Sequence, residues 1–213
     1  MPRVSIELTN ARKDEIISAC ASLYKTMSFK DITIKEIGGL TTFKRAAIYN
    51  YFQTKEEIFL ALLQREYELW ADELNSVTDS REQMTADEIA QMLAHSLEKR
   101  EQMLKLFSMN HFDMEANSRL ENLTEFKAAY GKSIKAVEKC LEKFCIDMSA
   151  KARQDFIYSF FPFIYGIYPY TIVTEKQRKA MEQANIDYVY LSIYEIAYTC
   201  AKKLLGVGDN YEI

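Results

Sequence analysis

Glycine and proline are scarce in this chain, which has 6 Gly and 3 Pro among its 213 residues. Both residues interrupt helices and mark turns, so a sequence of this length with so few of them favours long helices over many short strands. Hydrophobic residues make up 48% and charged residues 27% of the sequence, which is typical of a soluble globular protein and not of a disordered one. We therefore predict an all-α fold.

Positive charge is concentrated at the N-terminal end of the sequence. Residues 1–55 contain nine Lys or Arg side chains and five carboxylates, although the whole chain carries a net charge of −4. A basic segment joined to an acidic remainder is typical of a protein that contacts nucleic acid with one part only. The sequence thus predicts a small basic domain, residues 1–55, and a larger domain, residues 56–213.

Helical patterns divide the basic region into three short helices followed by a long one. Apolar residues recur at helical spacing over 10–27, with Asn10 as the expected N-cap. Thr33-Ile34-Lys35-Glu36 and Thr54-Lys55-Glu56-Glu57 both place a threonine three residues before a glutamate, which is the capping-box pattern. These patterns predict a short helix over 34–39 and a long helix that starts at residue 55 and ends before a polar turn over 75–85.

A further short helix is predicted over 43–50, with Phe43, Ala47 and Ile48 facing inward. Its opposite face carries basic and polar side chains. A short helix that is supported on one face and polar on the other is the second helix of a helix-turn-helix, which lies in the major groove of DNA. The side chains of this polar face suit base edges and phosphates, and they are Lys44, Arg45, Tyr49 and Asn50.

Two segments resemble the TetR family of transcriptional regulators. One is Ile48-Tyr49-Asn50-Tyr51-Phe52-Gln53-Thr54-Lys55-Glu56-Glu57-Ile58-Phe59, which is similar to the family signature "l-Y-x-Y-F-x-s-K-e-e-L-f". The other is Thr33-Ile34-Lys35-Glu36-Ile37, which is similar to the start of the family's helix-turn-helix. The family's turn is usually Ala-Gly-Val-Ser and is Thr41-Thr42-Phe43-Lys44 here, so we expect Thr41 or Thr42 to supply the missing cap.

The resemblance covers about residues 10–65 and implies a fold and a function. The fold is a three-helix DNA-binding domain joined by a long helix to a larger helical domain for ligand binding and dimerisation. The function is that of a repressor that binds a near-palindromic operator as a homodimer. Tyr49 matches the family's DNA-facing tyrosine and Lys55 its phosphate-binding lysine. The expected DNA contacts are Thr33, Lys35, Thr42, Lys44, Arg45, Ala46, Tyr49, Asn50, Tyr51 and Lys55.

The C-terminal part is rich in aromatic residues and methionine, which at helical spacing are most often plain core. The resemblance implies an effector pocket there, and an apolar or aromatic small molecule suits such a lining. The alternative is a TetR-like regulator that has no small-molecule pocket and is controlled by a protein partner. The candidate pocket residues are Phe107, Phe112, Phe126, Tyr130, Phe160, Phe163 and Tyr165.

The last predicted helix, 186–205, has apolar residues on two faces and ends at Gly206. Pro162 and Pro169 are expected to kink or stop the aromatic helix that precedes it, over 153–172. A terminal helix of a monomer needs only one buried face, so the second face predicts a partner surface. The resemblance implies that this partner is a second copy of the chain, which binds through its C-terminal helices.

The sequence contains no motif that indicates an enzyme, a metal site or a membrane protein. We expect no catalytic residue and no cofactor, and a helical enzyme remains as a competing class that a deep pocket with converging titratable groups would favour. His95 and His111 have no cysteine or carboxylate set at ligand spacing, so we expect no metal site. No signal peptide and no apolar run of membrane-spanning length occur, so we expect a cytoplasmic protein without a membrane partner.

Overall fold

The computed structural model describes residues 3–109 and 111–207. All regular secondary structure in these ranges is helical, so the predicted all-α fold is confirmed. The elements in chain order are α1 (Arg3–Tyr24), α2 (Ile34–Gly38), a 3₁₀ helix (Arg45–Asn50), α3 (Lys55–Ser80), α4 (Ala86–Glu98), α5 (Glu101–Phe107), α6 (His111–Ala116), α7 (Leu120–Phe144), α8 (Ala150–Gly166), α9 (Tyr168–Thr171), α10 (Glu175–Gln183) and α11 (Ile193–Leu204).

The chain forms two compact units. The first unit comprises Met1–Glu68 with Asn110–Gly131, and the second comprises Leu69–Met109 with Lys132–Ile213, in each case as far as their residues are described. Helices α3 and α7 each contribute residues to both units. The division at residue 55 expected from the sequence is a functional one and stays a prediction.

The core of the first unit is built from aliphatic and aromatic side chains of α1, α3 and α7. The ring of Phe59 meets Tyr24 edge-on at 5.2 Å and Phe29 at 4.8 Å between centroids. Tyr67 is completely buried and contacts Phe126 at 5.9 Å. Aromatic pairs of this kind contribute about 0.5–1.5 kcal/mol each beyond the area they bury, so they anchor the first part of α3 in the first unit.

The core of the second unit surrounds Trp70, whose side chain is completely buried. Its Nε1–H donates to Ser96 Oγ at 2.9 Å, which satisfies the one polar group of the ring. Helix α11 packs mainly against α4, and its buried residues Ile193, Ala197 and Ala201 recur every four positions. Two small residues in this series allow the two helices to approach closely.

Two helices of the first 80 residues are longer than the sequence predicts. Helix α1 begins at Arg3, so Asn10 lies inside it and is not its N-cap. Helix α3 continues to Ser80 through the polar residues that were expected to form a turn. Leu74 and Thr78 are completely buried one helical turn apart. This burial keeps residues 75–80 helical in spite of their low helix propensity, because packing overrides propensity.

The C-terminal helices also differ from the predicted ones. Pro162 lies inside α8 and does not end it, whereas Pro169 lies in the first turn of α9, where its missing N–H is not needed. Residues 186–192 are not helical, and α11 starts after Ser192, which forms a complete capping box with Glu195. The predicted end of this helix is confirmed, since Gly206 has φ = +70°, a value that favours glycine.

Candidate nucleic-acid interface

Residues Arg45–Asn50, here called the recognition segment, form a 3₁₀ helix where a short helix was predicted. Ile48 is completely buried and anchors the segment on the first unit. The predicted DNA contacts Arg45, Ala46, Tyr49 and Asn50 are all exposed, and so is the preceding Lys44. All five of these predicted contact residues are therefore accessible from solvent.

Helix α2 precedes the recognition segment and is capped by Thr33. The Lys35 N–H donates to Thr33 Oγ1 at 3.2 Å, and the Glu36 carboxylate accepts a hydrogen bond from the same hydroxyl. Thr33 is thus the N-cap, as predicted. Its hydroxyl accepts a hydrogen bond from the second backbone N–H of the helix and not from the third. The side chains of Thr33 and Lys35 are both exposed.

Gly38 makes the close packing of α2 and the recognition segment possible. A Cβ built on Gly38 would lie 3.0 Å from Arg45 Cβ, 3.0 Å from Arg45 Cγ and 3.3 Å from Arg45 Cα. Ordinary carbon contacts are about 3.5–4.0 Å. The absence of a side chain at residue 38 therefore allows Arg45 to lie this close to α2.

The turn between α2 and the recognition segment is held by its own threonines and by α1. Thr41 Oγ1 donates to Gly38 O and to Phe43 O, both at 3.1 Å. The backbone N–H and the hydroxyl of Thr42 both donate to the Glu15 carboxylate. Neither threonine caps the recognition segment, and within the described ranges its N-cap residue Lys44 makes no side-chain capping bond either. The expected threonine cap is thus wrong, because the Thr41 hydroxyl bonds within the turn and the Thr42 hydroxyl bonds to Glu15 of α1.

Tyr51 follows the recognition segment and is half-buried. Its hydroxyl accepts a hydrogen bond from Arg12 Nη1 at 3.3 Å, and the Arg12 guanidinium also lies 5.6 Å from the Phe43 ring centre. Helix α1 thus contacts both ends of this region, through Glu15 and Arg12. Phe52, the next residue, is buried.

Lys55 is the first residue of α3, and its side chain contacts the loop that follows α1. Its ammonium donates to Phe29 O at 2.8 Å and to Ile32 O at 3.2 Å, and it lies 4.1 Å from the centre of the Phe29 ring. An ammonium has three N–H donors, so these two bonds leave one donor for a phosphate. Lys55 holds the loop after α1 against the start of α3.

Glu57 and Arg119 form an ion pair that the sequence did not reveal. The Glu57 side chain is 1% exposed, and Arg119 Nε donates to its Oε1 at 2.7 Å. Burial by itself would raise the pKa of Glu57. Hydrogen bonds from the Arg119 side chain and from the backbone N–H groups of Gln53 and Arg119 outweigh burial, so its pKa lies below the usual value. The partners are 62 residues apart, and no sequence pattern joins them.

The predicted effector residues fall into separate clusters. Phe126 and Tyr130 lie in the first unit on either side of Tyr67, whereas Phe112 is 85% exposed. In the second unit, Phe107 stacks on Tyr165 at 4.4 Å, Phe160 is buried against Phe156 and Phe161, and Phe163 is partly exposed. The structure thus gives these seven residues several different environments.

Three cavities of similar size lie elsewhere. One of about 420 Å³ lies in the first unit between α1, α3 and the start of α7, and its lining is largely charged and polar. One of about 460 Å³ lies along α10. The third, of about 430 Å³ in the second unit, is lined by Pro169, Tyr170, Val173, Gln177, Met181, Tyr188 and Tyr190. None of the seven predicted effector residues lines these three cavities.

Within residues 3–109 and 111–207, no group of three or more His, Cys, Asp or Glu side chains could hold a metal ion. In the same ranges, no helix combines the length and apolar character of a membrane span. Burial raises the pKa of the Cys20 thiol to about 12, so this cysteine stays protonated.

Comparisons with known proteins agree with this architecture. A structure assigned to the TetR family of transcriptional regulators, from Mesorhizobium loti, is similar with a TM-score of 0.60 at 15% identity, covering 97% of this chain and 98% of that one. The fatty acid degradation regulator FadR from Bacillus halodurans has a TM-score of 0.56 at 14% identity, covering 92% and 99%. SmeT, the repressor of the Stenotrophomonas maltophilia multidrug efflux pump SmeDEF, has a TM-score of 0.53 at 15% identity, covering 96% and 95%.

Sequence comparison gives the family directly. No curated protein sequence matches the chain significantly. The family model of the tetracyclin repressor-like C-terminal domain matches residues 64–193, which is more than half of the chain. Together with the helical fold, this match shows that the chain belongs to the TetR family of transcriptional regulators.

Proposed function

We propose that this protein is a repressor that binds a near-palindromic operator as a homodimer and is released by a small apolar or aromatic effector. The observation that carries the proposal is the recognition segment, in which Ile48 is completely buried while Arg45, Tyr49 and Asn50 are exposed. A short helix anchored on one side and polar on the other is what major-groove binding requires. The DNA-binding domain in this proposal is residues 1–55 and the effector and dimerisation domain is residues 56–213.

The contact residues divide into those that read bases and those that bind phosphates. Arg45 suits the O6 and N7 atoms of guanine, and Asn50 suits adenine. Lys35, Lys44 and Tyr49 supply phosphate contacts, and Thr33 and Ala46 border the same face. Thr42 and Tyr51 contact DNA from positions that α1 fixes, through Glu15 and Arg12. Lys55 binds a phosphate with its remaining N–H donor.

Dimerisation is proposed through α8 and α11, the last two large helices. Helix α11 buries Ile193, Ala197 and Ala201 within its own unit and leaves Ile196 and Cys200 partly accessible. On α8, Tyr158 is 71% exposed. A stable dimer buries at least about 1,200 Å² in total, and exposed aromatic residues are common at the centre of such interfaces. A two-fold axis then requires an operator with two matching half-sites.

Release requires that the effector bind one conformation of the dimer better than the other. The difference in binding free energy is the coupling energy, typically about 1–3 kcal/mol. The third cavity described above, here called the tyrosine groove after Tyr170, Tyr188 and Tyr190, has the size and lining for an aromatic molecule. The alternative, control by a protein partner without a small-molecule pocket, is favoured by the tight burial of Phe160 and by the stacking of Phe107 on Tyr165.

The test of DNA binding begins with the selection of bound fragments from random duplex DNA. A fluorescently labelled fragment is then titrated with the wild-type protein and with Arg45→Ala and Tyr49→Phe. Loss of a bidentate arginine contact weakens binding by about 1–3 kcal/mol, or roughly 5- to 150-fold. Lys151→Ala, which removes an exposed lysine of α8, is the charge-matched control. Wild-type affinity in both recognition variants contradicts the proposed site.

The test of the effector uses the same labelled fragment. A library of aromatic and apolar small molecules is added to the complex, and any molecule that releases DNA is titrated against Tyr190→Ala. Release that is weakened by this substitution supports the tyrosine groove as the effector site. If no compound changes operator affinity, the effector part of the proposal fails and the alternative with a protein partner stands.

A further inference from the structure

Arg119 lies between α6 and α7, outside the sequence region that carries the expected DNA contacts. Its side chain and its backbone both bind the Glu57 carboxylate. Nε donates to Oε1 at 2.7 Å, Nη2 donates to Oε2 at 2.9 Å, and the backbone N–H donates to Oε1 at 3.0 Å. A guanidinium that binds both oxygens of a carboxylate is held in one orientation, which a single ion pair does not achieve.

The same guanidinium reaches the end of the recognition segment. Arg119 Nη2 donates to the carbonyl oxygen of Tyr51 at 2.9 Å, and Tyr51 is the residue directly after the segment. The Glu57 carboxylate also accepts the Gln53 N–H at 2.7 Å, and Thr54 Oγ1 donates to Asn117 O at 2.9 Å. Residues 117–119 are thus bonded to backbone or side-chain atoms at three positions, Tyr51, Thr54 and Glu57, and Glu57 in turn binds the Gln53 N–H.

The burial of Glu57 makes this arrangement hard to replace by water. The carboxylate is 1% exposed, whereas the Arg119 side chain is 40% exposed. A buried carboxylate that loses its cation is strongly unfavourable, because a desolvated charge is left without a partner of opposite sign. The position of Tyr51, and with it the exit of the chain from the recognition segment, therefore depends on Arg119.

We propose that Arg119 is a positioning residue for operator binding: it fixes the C-terminal end of the recognition segment through the Tyr51 carbonyl and the Glu57 carboxylate. It does not touch DNA itself. Residues 117–119 accordingly set how well the recognition segment is ordered before DNA arrives. This inference rests on the proposed operator binding, and the two are tested by separate measurements.

The first measurement needs no DNA. Hydrogen–deuterium exchange is followed by mass spectrometry on peptides that cover residues 45–57, in the wild type and in Arg119→Met. Lys127→Met is the matched control, because Lys127 makes an exposed ion pair with Glu115 on the same unit. We expect exchange in these peptides to be about tenfold faster in Arg119→Met, since a charge-assisted hydrogen bond and its neighbours are lost. The control should match the wild type.

The second measurement is the affinity for the selected operator fragment. We expect about a tenfold loss in Arg119→Met and a smaller loss in Arg119→Lys, because one ammonium keeps the charge but lacks the planar fork that serves both partners. The double variant Glu57→Gln with Arg119→Gln avoids an unpaired buried charge and so protects folding. It should keep the wild-type melting temperature and still lose affinity, since the Tyr51 carbonyl has lost its donor.

Each outcome decides the inference. Unchanged exchange over residues 45–57 in Arg119→Met overturns it, and so does faster exchange with wild-type affinity in both Arg119→Met and the double variant. Faster exchange together with weaker binding and partial recovery in Arg119→Lys supports it. If the wild-type protein selects no DNA, the proposed function fails, while the exchange result still decides whether Arg119 orders the segment.

Discussion

Replacing Gly38 by alanine tests how closely α2 and the recognition segment must approach. The new Cβ would lie 3.0 Å from both Arg45 Cβ and Arg45 Cγ, and 3.3 Å from Arg45 Cα. The Cγ atom can move away by a rotation of the side chain, but Cα and Cβ can move only with the backbone. Relief of the contact therefore displaces the recognition segment by a few tenths of an ångström.

Two opposing effects set the size of the loss in stability. Overpacking of a close contact costs about 1–3 kcal/mol, whereas alanine in place of glycine at a helical position gains up to about 1 kcal/mol. The net expected loss is about 1 kcal/mol. The displaced Arg45 should weaken operator binding by about tenfold, since base contacts depend on hydrogen-bond geometry and contribute about 1–3 kcal/mol each.

The assays are urea unfolding and titration of the labelled operator fragment. Gly131→Ala is the matched control, because Gly131 lies within α7 and a Cβ there meets no atom within 4 Å. The control should gain about 0.5–1 kcal/mol of stability and bind the operator as the wild type does. If Gly38→Ala is as stable as Gly131→Ala and keeps wild-type affinity, the close contact with Arg45 does not position the recognition segment.

The pKa of Glu57 is lowered from its usual 4.5 in the folded protein. Its contribution to stability is therefore fully present above about pH 4.5 and disappears as the pH falls through the lower folded pKa. Glu57→Gln should flatten this part of the pH dependence of the urea unfolding midpoint. Tyr158→Lys should convert the proposed dimer to monomer in sedimentation velocity, whereas an unchanged dimer places the interface elsewhere. Ser192→Ala removes the capping box of α11 and should cost about 1 kcal/mol in thermal unfolding, with no change in operator affinity.

The features that depend on neighbours a few residues away were predictable from local sequence patterns. Thr33 caps α2, Gly206 ends the last helix, and Ile48 is buried while Tyr49 is exposed. These features follow from helical spacing and capping, in which the interacting groups lie within about four residues of each other. The helical fold class and the accessible face of the recognition segment were predictable for that reason.

Contacts between residues far apart in the sequence hold the recognition segment in place. Glu15 fixes the turn at Thr42 from 27 residues away, and Arg119 binds Glu57 from 62 residues away. Burial of Thr78 keeps α3 helical through a segment whose composition predicts a turn. These contacts depend on which helices pack together, and no local periodicity encodes them. The free energy of burying a side chain is set by the partners that surround it in the folded chain.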